Sequence, residues 1–149
     1  MPQTAIEIRS LSDSSLAIGS AGSRTITIDR AKEAGGLGHG FNGGELLLLA
    51  VGGCYSNDVF READRRGIKV HSVEVRVMAQ WGGDPVRAQN VQFSTVVEAD
   101  ATEEEIQELI RHTDQLAEIP NSLRLGTAVT LTDVKTISRV QKTSTGGIG

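Results

Sequence analysis

Residues 46–51, Leu-Leu-Leu-Leu-Ala-Val, are apolar on every side of whatever element they form. The signals around them are helical. Asn42 is followed three residues later by Glu45, an asparagine variant of the capping box, and Phe41 and Leu46 stand where a hydrophobic staple would put them. Arg65 and Arg66 suit the negative end of a helix, and Gly67 is a stop. These signals predict a helix from near Gly43 to about Arg66, roughly 35 Å long. A helix apolar all round has to be buried all round. A chain of 149 residues has few elements with which to wrap it, so the stretch predicts an obligate homodimer.

The remaining segments fall on either side of this helix. Ile6 and Ile8, Leu16 and Ile18, and Ile26 and Ile28 alternate with polar residues, with turn-forming stretches between them, and predict a small antiparallel meander. A glycine-rich loop, Gly35 to Gly44, reads as a flexible crossing into the helix. After Gly67, Val73 to Trp81 and Val91 to Val97 alternate on either side of a Gly-Gly-Asp-Pro turn, which predicts a hairpin with one wet face. Thr102 and Glu105 form a second capping box before an amphipathic helix, and Pro120 starts a short turn or helix. A last strand, Ala128 to Val134, is expected to close the sheet. The order defines an α+β fold in a single domain, 1–149, with residues 140–149 as a flexible tail.

Composition narrows the function. The net charge is -4 with no basic block, and aromatics are only 3%, which argues against nucleic acid as a partner. No apolar run approaches the roughly 20 residues of a membrane span, and no signal peptide opens the chain. One cysteine, Cys54, cannot form an internal disulfide. These features predict a cytoplasmic protein with no membrane partner, and no pattern calls for a metal or cofactor. His39 is expected at the surface, His71 and His112 in structural roles.

The stretch Lys32 to Cys54, KEAGGLGHGFNGGELLLLAVGGC, resembles the hallmark of the OsmC/Ohr superfamily. RRGIKVHSVEVRVMAQW resembles the family segment after the helix, and LAEIPNSLRLGTAVTL its second motif. The resemblance runs from about Ala5 to Val134. It implies an OsmC-like fold, antiparallel sheets around a long central cysteine-bearing helix in an intertwined dimer. It also implies reduction of organic hydroperoxides, in which a first cysteine attacks the peroxide and a second resolves the sulfenic acid. An arginine, held by a glutamate at the helix start, activates the first thiol. Cys54 is the first cysteine. Ala117 stands at the position of the second, so an external thiol reductant has to take its role. The peroxidase pattern places the acid at Gly44; here the acid is one step later, Glu45, as in some broader members. Arg9 is the nearest candidate for the arginine, Arg24 and Arg30 the next.

Cys54 itself admits two readings. As a nucleophile it needs a cation, because an ordinary thiol, of pKa about 8.5, is mostly protonated at neutral pH. It lies too far into the helix for the N-terminal dipole to help, and Asp58 at i+4 carries the wrong sign. Arg61 reaches the sulfur only by folding back. As a structural residue, Cys54 is a small side chain after Gly52 and Gly53 that permits close packing. The first reading predicts a thiol-dependent peroxidase, the second a non-catalytic relative binding a small hydrophobic molecule in the dimer pocket.

Overall fold

The computed structural model describes residues 1–140. Three short strands open the chain, β1 (Glu7–Ser10), β2 (Ala17–Ala21) and β3 (Arg24–Ile28), paired antiparallel in the order β1-β2-β3. Glu7 faces Ser20 and Ala17 faces Ile28. This is the meander its alternation predicts. β1 is exposed along its whole length, and the meander is tied to the body by a parallel bridge between Ile28 and Phe41.

Helix α1 spans Gly43–Arg65. The capping box forms as the spacing requires: the Glu45 N–H donates to Asn42 Oδ1 (2.9 Å) and the Asn42 N–H to Glu45 Oε1 (3.1 Å). Gly67 ends the helix at φ +65, a left-handed conformation that glycine adopts without strain. β4 (Val70–Gly82) and β5 (Arg87–Ala99) follow as a two-stranded hairpin with Val77 opposite Phe93.

Helix α2 (Glu103–Leu116) carries its own capping box from Thr102 and Glu105. Helix α3 (Glu118–Arg124) begins two residues before Pro120. Proline is tolerated there because first-turn N–H groups have no intrahelical acceptor. The core lies where α1, the hairpin, α2 and α3 meet. It is built on Tyr55, Val59, Ala63, Leu109 and Ala117, with Val73, Val75 and Phe93 packed against it.

Two expectations need correction. The strand expected over Ala128–Val134 is not paired, and Val129 and Leu131 stand 98% and 84% exposed. The alternation suits a strand, but a strand exists only against an edge, and this segment meets none among the described residues. The apolar first half of α1 is not buried within one chain, as expected of a chain with few elements to wrap it. Leu46, Leu47 and Leu48 are half-buried, Ala50 is exposed and Leu49 is 51% exposed. The second correction is that Gly52 and Gly53 differ. A Cβ on Gly52 would lie 3.0 Å from Val77, whereas one on Gly53 would meet nothing within 4 Å. The expected close crossing is real at Gly52 alone, because only that position faces β4. From residue 141 on, the expected flexible tail lies outside the described residues.

Candidate functional site

Cys54 sits midway along α1, half-buried. The helical i+4 spacing brings Asp58 beside it, and the thiol donates to Asp58 Oδ2 at 3.8 Å. Asp58 is 6% exposed. Its other oxygen, Oδ1, takes Arg61 Nη1 at 2.9 Å. Arg61 does fold back along the helix, but it stops at the carboxylate. The sulfur therefore faces an acid, and the cation stands one group further out.

The same run of charges continues to Glu62, 3% exposed, whose Oε1 accepts from Arg61 Nε and Arg65 Nη1, both at 3.0 Å. His112 Nε2 lies 3.6 Å from Glu62 Oε2. The Arg61 hydrogen bond holds the Glu62 carboxyl below the usual carboxylate range; burial opposes this, and the charges of Arg65, Arg61 and His112 assist it. The bond to Glu62 likewise raises Arg61 above the ordinary guanidinium value, against burial. Asp58 and Glu62 are thus buried acids with partners, which is the condition under which acids are buried.

The other predicted site residues lie elsewhere in the chain. Glu45 is engaged in the α1 capping box, nine positions before Cys54 and so on the opposite side of the helix. Arg9 lies exposed on β1 with its guanidinium on Glu7 at 3.0 Å. Arg24 donates to the Ala21 carbonyl. Within one chain these groups are not brought to the sulfur. Ala117 is fully buried in the core beside Tyr55 and Val59.

Asp29 escaped the sequence reading. It is 2% exposed, and its carboxylate accepts from Ser15 Oγ and from the N–H groups of Arg30, Leu37 and His39, at 2.8 to 3.2 Å. Burial pushes its carboxyl up, but the hydrogen bonds from His39, Arg30, Ser15 and Leu37 together outweigh it and leave the value below the ordinary 3.8. The glycine-rich loop is therefore pinned to one carboxylate and is no loose crossing. Gly36 and Gly40 press against the Arg30 and Thr27 carbonyls, where a side chain has no room. The signal was an acid at a strand end before a run of small residues, a pattern that many turns share.

On the hairpin side of α1, Phe41, Leu48, Leu49, Gly52 and Val75 line an open, mainly apolar cavity of about 490 Å3. Next to the open face of α1, which carries Leu47, Ala50, Gly53 and Cys54, it forms an uncovered apolar surface around the cysteine helix.

A helix with a mid-length cysteine, flanked by a meander and a long hairpin, is the arrangement of the OsmC class. The family described as OsmC-like protein matches residues 36–132, well over half of the chain, and the chain belongs to that family. Solved structures share the fold. The OsmC-like protein from Mycoplasma pneumoniae superposes with a TM-score of 0.72 at 19% identity, covering 83% of this chain and 88% of that one. An OsmC-like protein of unknown function from Vibrio cholerae gives 0.71 at 11%, covering 82% and 94%. The organic hydroperoxide resistance protein OhrB of Bacillus subtilis gives 0.58 at 17%, covering 82% and 90%. No curated protein matches the chain.

Proposed function

We propose that the protein reduces organic hydroperoxides through Cys54 alone, as a homodimer, with an external thiol completing each turnover. The observation that carries this is the position of Cys54: half-buried on the open, apolar side of the central helix of an OsmC-family fold. A second copy would cover Leu46, Leu47 and Ala50 and enclose a dry pocket suited to an organic substrate. The activating cation would come from the meander of that copy, Arg9 first and Arg24 or Arg30 next.

The Cys54 thiolate attacks the outer peroxide oxygen. The O–O bond breaks, the alkoxide leaves and takes a proton to become an alcohol, and sulfur becomes a sulfenic acid. With alanine at 117, no second thiol of the same chain can condense with it. An external thiol attacks the sulfenic sulfur and releases water; a second thiol, or the second arm of a dithiol, then frees Cys54 and leaves as disulfide.

Mass spectrometry after treatment with cumene hydroperoxide tests this reading. The expected product is Cys54 sulfenic acid, passing to sulfinic acid in excess peroxide, with turnover only when a dithiol is added and none in Cys54→Ser. A Cys54 that stays a thiol in the folded protein, while a free-thiol control oxidises, removes the proposal. The contact with Asp58 favours a second reading in that event: a non-catalytic family member that binds a small hydrophobic molecule in the pocket beside Leu48 and Leu49.

A further inference from the structure

Cys54, Asp58 and Arg61 stand at i, i+4 and i+7 of α1 and so lie on one stripe of the helix. Among the described residues the sulfur's one hydrogen bond goes to Asp58 Oδ2. Asp58 is buried and has two side-chain partners there, the thiol and Arg61 Nη1. Arg61 has a second anchor, because its Nε donates to Glu62 Oε1. Two acids on different nitrogens of one planar guanidinium fix its orientation, which a single bond would leave free. Glu62 is held in turn by Arg65 of the same helix and faces His112 of α2. Glu118 of α3 adds its charge at Arg61. These groups act on the outer end of the run, and Asp58 alone meets the sulfur.

A thiolate at Cys54 would lie against the Asp58 carboxylate, and like charges in contact repel. The hydrogen bond from thiol to carboxylate also favours the protonated sulfur. What limits both effects is the guanidinium on the far oxygen of Asp58, which draws the carboxylate charge away from the sulfur. Without Arg61, the thiol would be the sole side-chain donor to a buried carboxylate. The whole field of that acid would then fall on the sulfur, where water screens it poorly.

We infer that Arg61, pinned by Glu62, is a positioning residue for Cys54: by answering the charge of Asp58 it governs how readily the thiol ionises. The inference rests on the reading of Cys54 as a nucleophile and deepens it, because it names a group of the same chain that regulates the sulfur. Arg61 acts through Asp58 and not by contact with the sulfur. Any cation supplied by a second copy acts in addition.

Alkylation of the folded protein by iodoacetamide, an uncharged reagent, tests this across pH. Arg61→Gln should slow the reaction at neutral pH about threefold, the scale of one charge in a partly exposed pair. The gap should close at strongly alkaline pH, where a thiol is ionised whatever stands beside it. Arg61→Lys, which keeps a charge three residues from Asp58, should restore the rate. In an Asp58→Asn background, Arg61→Gln should lose most of its effect. The Arg61 side chain is 40% exposed, so these variants should fold, and Arg61→Met gives a second uncharged variant with the same expected readout. An unchanged neutral rate overturns the inference. So does a loss that persists at alkaline pH, one that lysine does not repair, or one of equal size in the Asp58→Asn background. A wild-type thiol that does not alkylate in the folded protein overturns it together with the nucleophile reading. A thiol that alkylates as described but leaves cumene hydroperoxide untouched removes the reductase proposal and leaves this inference standing.

Discussion

Between Leu46 and Ala50, helix α1 carries five apolar residues, none of them buried within the chain. Between Asp58 and Glu62 it carries two acids that are 6% and 3% exposed. One helix therefore leaves its apolar half partly open and buries two acids in its charged half. The difference lies in what each half has to pack against. The second half is enclosed by α2, α3 and the hairpin, and its acids are matched by Arg61, Arg65 and His112. The first half has β4 on one side and, among the described residues, an open face on the other. Polarity alone does not set burial; the neighbours do, and a buried acid is stable when its charge is answered.

The largest expected effect breaks the apolar half. Leu47→Asp should abolish the homodimer or the fold, since a charge buried without a partner costs several kcal/mol or is neutralised. Light scattering should then report about 15.8 kDa, the mass of one chain, or aggregate. A wild-type protein that is already a monomer of that mass across dilution would overturn the assignment of this face to a second copy.

Next come the paired glycines. Gly52→Leu should lose roughly 1–3 kcal/mol in urea melts by overpacking against Val77. Gly53→Leu should leave the unfolding of a single chain unchanged and act only on dimerisation. Equal losses for both at protein concentrations where the chain is monomeric would mean that α1 is closed on both sides.

Acid titration probes the charged half. The Glu62 carboxyl is depressed in the folded state, so its contribution is complete above the ordinary value near 4.5 and is lost as pH falls through the lower, folded value. Glu62→Gln should therefore be less stable than wild type at neutral pH, and the gap should close under strong acid. A gap independent of pH would show that hydrogen bonding, not charge, is what Glu62 supplies.

The smallest effect concerns the sulfur. Asp58→Asn removes the acid beside Cys54 and should speed alkylation of the thiol in the folded protein at neutral pH by a few-fold. An unchanged rate would mean that another charge governs the thiol.

Much of this was legible in the residues. The capping spacings Asn42/Glu45 and Thr102/Glu105, the stop at Gly67 and the alternation of β4 and β5 are local rules, and each element formed where its rule put it. The i+4 approach of Asp58 to Cys54 is equally local. Asp29 was not legible, because its four partners come from three separate segments and only the folded loop assembles them. The fates of Gly52 and Gly53, the burial of Glu62 and the unpaired Ala128–Val134 segment were decided by tertiary structure alone. Local sequence determines which hydrogen bonds a segment makes with itself. Which face meets β4, α2 or open solvent depends on packing between segments distant in the chain, and no window of residues contains that information.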